Sequence, residues 1–268
     1  MKTVLAPMKV VVAVPARLES SRLPRKVLAR IAGKPMLQHV LERCQKASTP
    51  DAVVLCTDSI ELQKLALEWG CSVAMTSADC ASGSERIASV VDHLIALVDG
   101  VSSDTLVINV QGDQPFIDPC AVDSMTMEFC SRQPTPDVLT PVYRMAAERI
   151  HDPDVVKTLV SANGNAIYFS RAAIPHVRGV PPSEWHAHTS YWGHVGIYGY
   201  RADVLQRWLD LPYSPLEKVE MLEQLRLLEA GIQIGTFPVE GESLSVDTSE
   251  HLAIARRKAV HYVPGQEI

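Results

Sequence analysis

The sequence predicts an α/β fold: a mostly parallel mixed sheet flanked by helices, with an antiparallel insertion. Up to residue 110, short apolar runs alternate with segments of helical periodicity, which is the pattern of βαβ units. From about residue 135, strand-like runs follow one another with turn residues between them, and this predicts the antiparallel part. The 268 residues are 47% hydrophobic and 21% charged, as expected of a globular protein with a substantial core.

The first half of the chain predicts four strands, at residues 11–14, 52–56, 72–75 and 105–110. The valine-rich first run is typical of a strand buried on both faces. Ser59 can cap a helix between the second and third strands, and Gly70 can end it. The helices predicted in this half lie at residues 35–44, 60–69 and 87–98.

The second half predicts strands at residues 137–143, 157–160, 166–170, 195–200 and 233–239. The Asn-Gly pair at 163–164 is a strong hairpin signal between the second and third of these. The segment 214–217, Ser-Pro-Leu-Glu, carries three cues for a helix start, and that helix is predicted to run to Gly231. A final helix is predicted to end at about residue 258.

The loop after the first strand concentrates positive charge in Arg17, Arg22, Arg25 and Lys26. Open α/β sheets bind ligands at the carboxyl ends of their strands, so cations here predict an anion site, most simply for phosphate. On charge alone, a solvated basic loop is an equally good interpretation. The loop has neither the dinucleotide nor the P-loop fingerprint.

Net charge and cysteine use limit the classes of partner. The net charge of −6 predicts no nucleic-acid partner, because it implies no basic face. No apolar run reaches the length needed to span a membrane, and residues 1–10 lack the apolar core of a signal peptide. Six cysteines occur and none forms Cys-x-x-Cys, so we expect free thiols in a reducing compartment, the cytoplasm.

Two aspartates stand where the metal ligands of phosphoryl chemistry are usually found. Asp113 directly follows a predicted strand, and Asp247 follows the last predicted strand near the other end of the chain. Carboxylates at strand ends beside a phosphate loop are the usual ligands of Mg²⁺. For Asp247 alone, a turn or a helix cap is the simpler interpretation.

Several motifs occur in the order found in one enzyme family. Residues 15–26 read P-A-R-L-E-S-S-R-L-P-R-K, residues 109–115 read N-V-Q-G-D-Q-P, residues 193–201 read G-H-V-G-I-Y-G-Y-R, and residues 246–250 read V-D-T-S-E; further matches lie at 152–157, 168–175 and 215–226. Together these motifs resemble the 3-deoxy-manno-octulosonate (Kdo) cytidylyltransferases, or CMP-Kdo synthetases. The chain departs from that family at Arg25 and Val27, where glycine and proline are usual, and at Gly193, where a basic residue is common.

The resemblance implies a single Rossmann-like nucleotidyltransferase domain over residues 8–262, with acceptor binding and dimerisation in about residues 135–237. It also implies the reaction: the hydroxyl of an acidic sugar, Kdo, attacks the α-phosphorus of CTP, giving CMP-Kdo for lipopolysaccharide synthesis and pyrophosphate. The implied cofactor is Mg²⁺. The implied assembly is a homodimer, and neither a nucleic acid nor a membrane is expected as a partner.

Position within these motifs implies roles for individual residues. The implied catalytic residues are Arg17, Lys26 and Asp113, and the implied metal ligands are Asp113 and Asp247. The implied nucleotide-binding residues are Ala16, Arg17, Arg22, Lys26, Ser82 and Gly83. The implied acceptor-binding residues are Arg86, Gln111, Arg171, His194, Tyr198, Glu220 and Gln224, with His194 opening a strand.

Helical periodicity gives separate support for part of the acceptor set. At about 100° per residue, Glu217, Glu220 and Gln224 share one face of the helix predicted over residues 216–228, which is apolar nearly all round. Such a helix is expected to be buried, and buried polar groups need partners. Those partners are either the sugar hydroxyls or, as the alternative, arginine and backbone groups of the protein itself.

Three other functions stay open at this point. The same chemistry can act on another acid, such as 8-amino-Kdo, another ulosonic acid or a phosphonate. A non-catalytic nucleotide sensor can use the same scaffold, although it would not need Lys26, Asp113 and Asp247 together. A metal-dependent glycosyltransferase would carry an Asp-x-Asp pair, whereas residues 113–115 are Asp-Gln-Pro.

Overall fold

A ten-stranded mixed sheet forms the centre of the computed structural model, which describes residues 8–20, 23–242 and 244–261. Strands β2 (Arg30–Ile31) and β3 (Lys34–Pro35) form a separate two-stranded sheet. The ten strands of the large sheet are β1 (Lys9–Pro15), β4 (Ala52–Thr57), β5 (Ser72–Met75), β6 (Thr105–Val110), β7 (Val138–Arg144), β8 (Lys157–Val160), β9 (Ala166–Ser170), β10 (Trp192–His194), β11 (Ile197–Arg201) and β12 (Ile234–Val239).

Helices cover the faces of the sheet. They are α1 (Met36–Cys44), α2 (Ile60–Glu68), α3 (Gly83–Ala88), α4 (Val91–Leu97), α5 (Pro119–Ser131), α6 (Ala202–Gln206), α7 (Pro215–Glu220), α8 (Gln224–Glu229) and α9 (Ser249–His261). No helix in the described ranges is both long enough and apolar enough to cross a membrane.

The strand order is β5-β4-β1-β6-β11-β7-β10-β8-β9, and β12 pairs with β7. Strands β1, β4, β5 and β6 are parallel neighbours, as the alternating pattern of the first half predicts. Only β9, β10 and β11 run against the other seven strands of the large sheet. The mostly parallel sheet with an antiparallel insertion is therefore confirmed.

Strand β1 lies at the centre of the packing because its side chains are apolar on both faces. Val10, Val12 and Val14 belong to one buried cluster, and Val11 and Ala13 belong to the cluster on the opposite face. Alternate residues of a strand point to opposite sides of the sheet, so this run can only be satisfied between two layers of helices.

The carboxyl ends of β1, β4, β6 and β12 lie along one edge of the sheet, since these strands point the same way. The segments that follow these ends contain, among the described residues, 16–20 and 23–28, 58–59, 111–118, and 240–242 with 244–248. The basic loop and both candidate metal ligands are therefore carried to the same edge, as expected for ligand sites of open α/β sheets.

Most predicted elements are confirmed, but two predicted helices are wrong and one helix was not predicted. The helix predicted over residues 87–98 is two helices, α3 and α4, separated at Ser89 and Val90. Helix α5 was not predicted, although Asp118 caps it and Pro119 stands in its first turn. The Asn-Gly hairpin is confirmed: β8 and β9 are antiparallel, and Gly164 has a φ of +80°.

The second wrong prediction is the continuous buried helix over residues 216–228. Met221 adopts a left-handed backbone with φ of 55°, which ends α7 and lets α8 start in a new direction. Val219 is 82% exposed and Met221 is 75% exposed, so the segment is not buried all round. Ser214 caps α7 through the backbone N–H of Glu217, at 2.8 Å, as predicted.

Candidate active site

A polar cavity of about 340 Å³ opens at the carboxyl edge of the sheet. It lies between the loop after β1, the start of α3, the segment after β6 and the loop before α9. The predicted site residues that line it are Ala16, Arg17, Lys26, Ser82, Gly83, Arg86, Gln111, Asp113 and Asp247. Arg22 lies outside the described residues.

Lys26 joins the two aspartates at the floor of the basic loop. Its Nζ donates to Asp113 Oδ2 at 2.7 Å and to Asp247 Oδ1 at 2.9 Å. Two further bonds hold the aspartate loops together: Ser245 Oγ donates to Asp113 Oδ1 at 3.2 Å, and the backbone N–H of Val246 donates to Asp113 O at 2.9 Å. Segments 134 positions apart in the chain (113 and 247) are thereby fixed against each other.

The charge state of Lys26 follows from this arrangement. Burial alone would lower the pKa of the ammonium group, but the charges and hydrogen bonds of Asp113 and Asp247 outweigh burial and raise that pKa. Lys26 is therefore a firmly charged cation whose side chain keeps only 14% of its surface accessible. Such a cation can hold the carboxylates together or neutralise a bound phosphate.

The donor set at Asp113 and Asp247 fits Mg²⁺. Mg²⁺ prefers oxygen ligands and is commonly held by one or two carboxylates together with substrate phosphates. The two carboxylates converge on one ammonium group, so they are close enough to act together. Among the described residues, no group of three or more His, Cys, Asp or Glu side chains is arranged to hold a metal.

The wall formed by α3 is tied to the loop after β5. Ser82 caps the helix by accepting a bond from Glu85 N at 3.2 Å. Arg86 is only 3% exposed; its guanidinium bonds the hydroxyl of Thr76 and lies 3.4 Å from Asp58 Oδ1. Arg86 thus reaches the cavity as a rigid, already paired cation.

Two glycines let backbone segments approach closely here. A Cβ on Gly112 would lie 3.2 Å from Pro15 O and 3.3 Å from Ala16 Cβ, so a side chain there would push the segment after β6 away from the end of β1. A Cβ on Gly83 would lie 3.1 Å from Gln111 Oε1. Small residues at these positions therefore keep the cavity narrow at the strand ends.

Glu223 lines the cavity and was not among the predicted site residues. Burial raises the pKa of its carboxyl group, partly opposed by hydrogen bonds with Ser84 and Ser82. A buried carboxyl with a perturbed pKa in a cleft is characteristic of functional sites. Glu223 lies just after the left-handed Met221, in a segment predicted to be one continuous helix.

Two of the predicted acceptor residues, His194 and Tyr198, do not line the cavity. His194 ends β10 and does not open a strand as predicted; its Nε2 lies 3.0 Å from Thr140 Oγ1, and its ring centroid is 5.2 Å from that of Tyr198. Burial lowers the pKa of His194 to about 3, so the ring is neutral. Burial raises the pKa of Tyr198 well above its ordinary value, and electrostatic interactions with Tyr200 and Glu223 raise it further. Tyr198 therefore lies within electrostatic reach of Glu223.

Arg171 and Glu220 are not brought to the cavity. Glu220 accepts bonds from Ser170 Oγ at 2.6 Å and from Arg171 N at 2.9 Å, and Arg171 Nε donates to Glu220 O at 3.1 Å. This is the internal pairing that was the alternative for the polar groups of this segment. Gln224 is buried, and its Nε2 has no hydrogen-bond partner among the described residues.

The three departures from the family pattern have different surroundings. Arg25 has a left-handed backbone with φ of 52° and pairs with Glu61 outside the cavity. Gly193 lies under the ring of Tyr143, whose Cζ would be 2.3 Å from a Cβ at that position. Val27 does line the cavity.

Comparison with known proteins identifies the family. Residues 11–234 match the family model described as cytidylyltransferase, so the chain belongs to the cytidylyltransferase family. The chain is 39% identical over 253 residues to the 3-deoxy-manno-octulosonate cytidylyltransferase of Chlorobaculum parvum, covering 93% of this chain and 97% of that protein. It is 41% identical over 249 residues to the enzyme of the same name from Solibacter usitatus, covering 92% of each.

A solved structure agrees. The structure of CMP:2-keto-3-deoxy-manno-octonic acid synthetase complexed with CTP superposes with a TM-score of 0.85 at 36% identity, covering 95% of this chain and all of that one. Within the cytidylyltransferases, the chain thus falls among the 3-deoxy-manno-octulosonate enzymes, as its motifs predict.

Proposed function

We propose that this protein transfers CMP from CTP to the hydroxyl of Kdo, giving CMP-Kdo and pyrophosphate. The observation that carries the proposal is the polar cavity in which Lys26 binds Asp113 and Asp247 at the edge of the sheet. The 36% to 41% identity over nearly the whole chain to Kdo cytidylyltransferases supports the acceptor.

In this reaction the oxygen of the acceptor hydroxyl forms a bond to the α-phosphorus of CTP. The bond from that phosphorus to the bridging oxygen of the β-phosphate breaks, the pyrophosphate leaves with those electrons, and the hydroxyl proton is lost to solvent or a nearby base. Negative charge spreads over the phosphate oxygens, so catalysis depends chiefly on positioning and on charge neutralisation.

The protein supplies both from its own residues. Arg17 and Lys26 would hold the triphosphate, with Ala16, Ser82 and Gly83 as the backbone wall of the nucleotide site. Arg86 would pair with the acceptor carboxylate, and Gln111 and Glu223 would bond its hydroxyls. His194 and Tyr198 would close that end of the site from behind.

Magnesium is part of the proposal. Asp113 and Asp247 would hold it, and when bound it would neutralise charge on the phosphate oxygens. Lys26, which holds the two carboxylates together in the structure, would then be released toward the phosphates.

Residues 8–262 are proposed to act as one nucleotidyltransferase domain, because β12 returns from the insertion to pair with β7 in the same sheet. Dimerisation is proposed through residues 135–237. That region exposes the apolar side chains of Tyr213, Val219 and Met221, which are 61%, 82% and 75% accessible, and an interface would bury them. Light scattering of the wild type and of Val219→Glu tests this: a monomeric wild type contradicts it.

We also propose that the enzyme works in the cytoplasm. All six cysteines are free thiols, and burial raises the pKa of Cys44 and Cys56 to about 12, so these two stay protonated and inert. A reducing compartment suits such thiols. Cell fractionation tests this placement.

The test of the main proposal is an acceptor panel. Purified protein, CTP and Mg²⁺ are combined with Kdo, 8-amino-Kdo, another ulosonic acid or a phosphonate, and pyrophosphate release is followed together with the mass of the product. Kdo is expected to give the highest kcat/KM. A higher value for another acid would reassign the acceptor, with Val27 as the departure that lines the cavity. Tight CTP binding without turnover of any acid would favour a nucleotide sensor.

A further inference from the structure

Asn109 is a polar residue in a strand that is otherwise apolar at its centre. It is the fifth residue of β6, lies in the middle of the ten-stranded sheet between β1 and β11, and is 0% exposed. Its neighbours across the strands are Ala13 and Tyr198. The Nδ2 group of Asn109 has no hydrogen-bond partner among the described residues, so burial of this amide carries a free-energy cost.

The other half of the amide has one partner, and that partner is a residue of the cavity. Gln111 Nε2 donates to Asn109 Oδ1 at 3.0 Å. On its other side the Gln111 amide lies against Gly83, where a Cβ would be 3.1 Å from Oε1 and 3.4 Å from Nε2. Gln111 is therefore held between a buried amide and a helix start, with the cavity beside it.

Stability does not account for an asparagine here. The rest of β6 from Leu106 to Val110 is apolar and fully buried, and leucine is similar in size to asparagine. A leucine at residue 109 would remove the unpartnered Nδ2 group and add buried apolar surface. A residue that costs stability where an apolar one would serve is characteristic of a functional site.

We propose that Asn109 is a positioning residue that orients the Gln111 amide. By taking the Nε2 group, it fixes which end of the Gln111 amide is left for the substrate: the Oε1 atom, a hydrogen-bond acceptor. Position 111 therefore selects a donor group on the acceptor molecule, which for a sugar acid is a hydroxyl. This inference rests on the proposed function, because it assigns Gln111 to the acceptor and not to CTP.

The test compares two substitutions that have opposite effects on stability. Asn109→Leu removes the bond to Gln111 and is expected to leave the melting temperature equal or higher, while KM for Kdo rises roughly tenfold, as for one lost hydrogen bond. Asn109→Asp keeps an oxygen that accepts from Gln111 Nε2; it is expected to lower the melting temperature and to keep KM for Kdo near the wild-type value. KM for CTP is expected to be unchanged in both.

The contrary results are equally clear. If KM for Kdo follows the melting temperature in the two variants, Asn109 is structural and the proposal is wrong. An unchanged KM for Kdo in Asn109→Leu, or a change in KM for CTP alone, overturns it as well. Wild-type protein in the same assay distinguishes failure of the proposed function from failure of the role given to Asn109. If the wild type forms no product, both are wrong. If the wild type turns over normally, a contrary result in the variants concerns Asn109 alone.

Discussion

Lys26 and Asp113 are bonded at 2.7 Å across 87 positions of sequence, one on the basic loop and the other at the end of β6. The same ammonium group reaches Asp247, so a single lysine links the basic loop to both candidate metal ligands. Its neighbour Arg25 pairs outward with Glu61. The adjacent cations Lys26 and Arg25 thus have different surroundings. Substituting each in turn can therefore show whether the loop acts through specific contacts of Lys26 or through its total positive charge.

Lys26→Ala is expected to lower turnover by roughly 10²–10³, the usual effect of removing one charge stabiliser, whereas Arg25→Ala should have little effect. Initial rates with saturating CTP and acceptor measure both. Without Mg²⁺, Lys26→Ala should also melt at a lower temperature, because Asp113 and Asp247 then face each other without their cation; added Mg²⁺ should restore stability. Equal rate losses in the two variants would mean that the loop acts through charge alone.

Asp113→Asn and Asp247→Asn are each expected to raise the Mg²⁺ concentration needed for half-maximal rate and to lower the maximal rate by roughly 10²–10³. The rate as a function of Mg²⁺ and of Mn²⁺ measures this, with circular dichroism as a check on folding. Ser245→Ala is the matched control, since Ser245 touches Asp113 through one hydroxyl and is no ligand in the proposal. Near-normal rates at limiting Mg²⁺ in either asparagine variant would remove that aspartate from the metal site.

Gly193→Arg is expected to destabilise the protein by about 1–3 kcal/mol, because the new side chain must displace the buried ring of Tyr143. Thermal melting measures the loss. In a double-mutant cycle, Gly193→Arg should cost less in a Tyr143→Ala background than in the wild type, since the two residues face each other across β10 and β7. A wild-type melting temperature for Gly193→Arg would show that the ring moves aside at no cost.

Glu220→Gln separates the two roles considered for the polar groups of residues 216–228. Loss of the carboxylate weakens the bonds to Ser170 and Arg171, so we expect stability to fall by roughly 1–2 kcal/mol and KM for the acceptor to stay unchanged. Glu68→Gln, an exposed change of the same kind on α2, is the control. A raised acceptor KM at normal stability would instead support the predicted role of Glu220 in acceptor binding.

His194 should make the fold sensitive to acid. Its pKa is about 3 in the folded protein, against an ordinary value near 6.5, so the unfolded chain binds the proton more readily. Stability is therefore fully present above pH 6.5 and falls as the pH is lowered, by up to about 1.4 kcal/mol per pH unit. His194→Gln keeps a partner for Thr140 and should flatten the melting temperature between pH 7 and pH 5. Parallel curves for the two proteins would contradict this.

The parts predictable from the sequence are those that depend on local pattern. A valine-rich run predicts a strand that is buried on both faces. Aspartates that follow parallel strands are then expected at the same edge of the sheet. Helix α5 could also have been predicted from the sequence, because its buried residues recur at helical spacing: Val122, Met125, Thr126 and Phe129.

The break at Met221 was not predictable from the same cues. A serine cap at Ser214 and a glycine at Gly231 agree with one continuous helix, and methionine rarely adopts a positive φ. Tertiary packing decides the matter, because burying Leu222 and Leu225 against the sheet requires the chain to turn there. Glu223 owes its place in the cavity to that turn, so it could not be found by periodicity.

Among the described residues β12 follows all other strands of the sheet, and Asp247 lies on the loop after it, so the site is completed by a segment that is synthesised after the other strands. A nascent chain that has released only β1 to β11 has the basic loop and Asp113 in place but leaves Lys26 with one carboxylate and β7 with an open edge. If Asp247 has the role proposed for it, activity is expected to arise together with closure of the sheet. We expect a chain stalled before residue 234 to lack that carboxylate and to expose an unpaired edge of β7, which favours pairing with another chain.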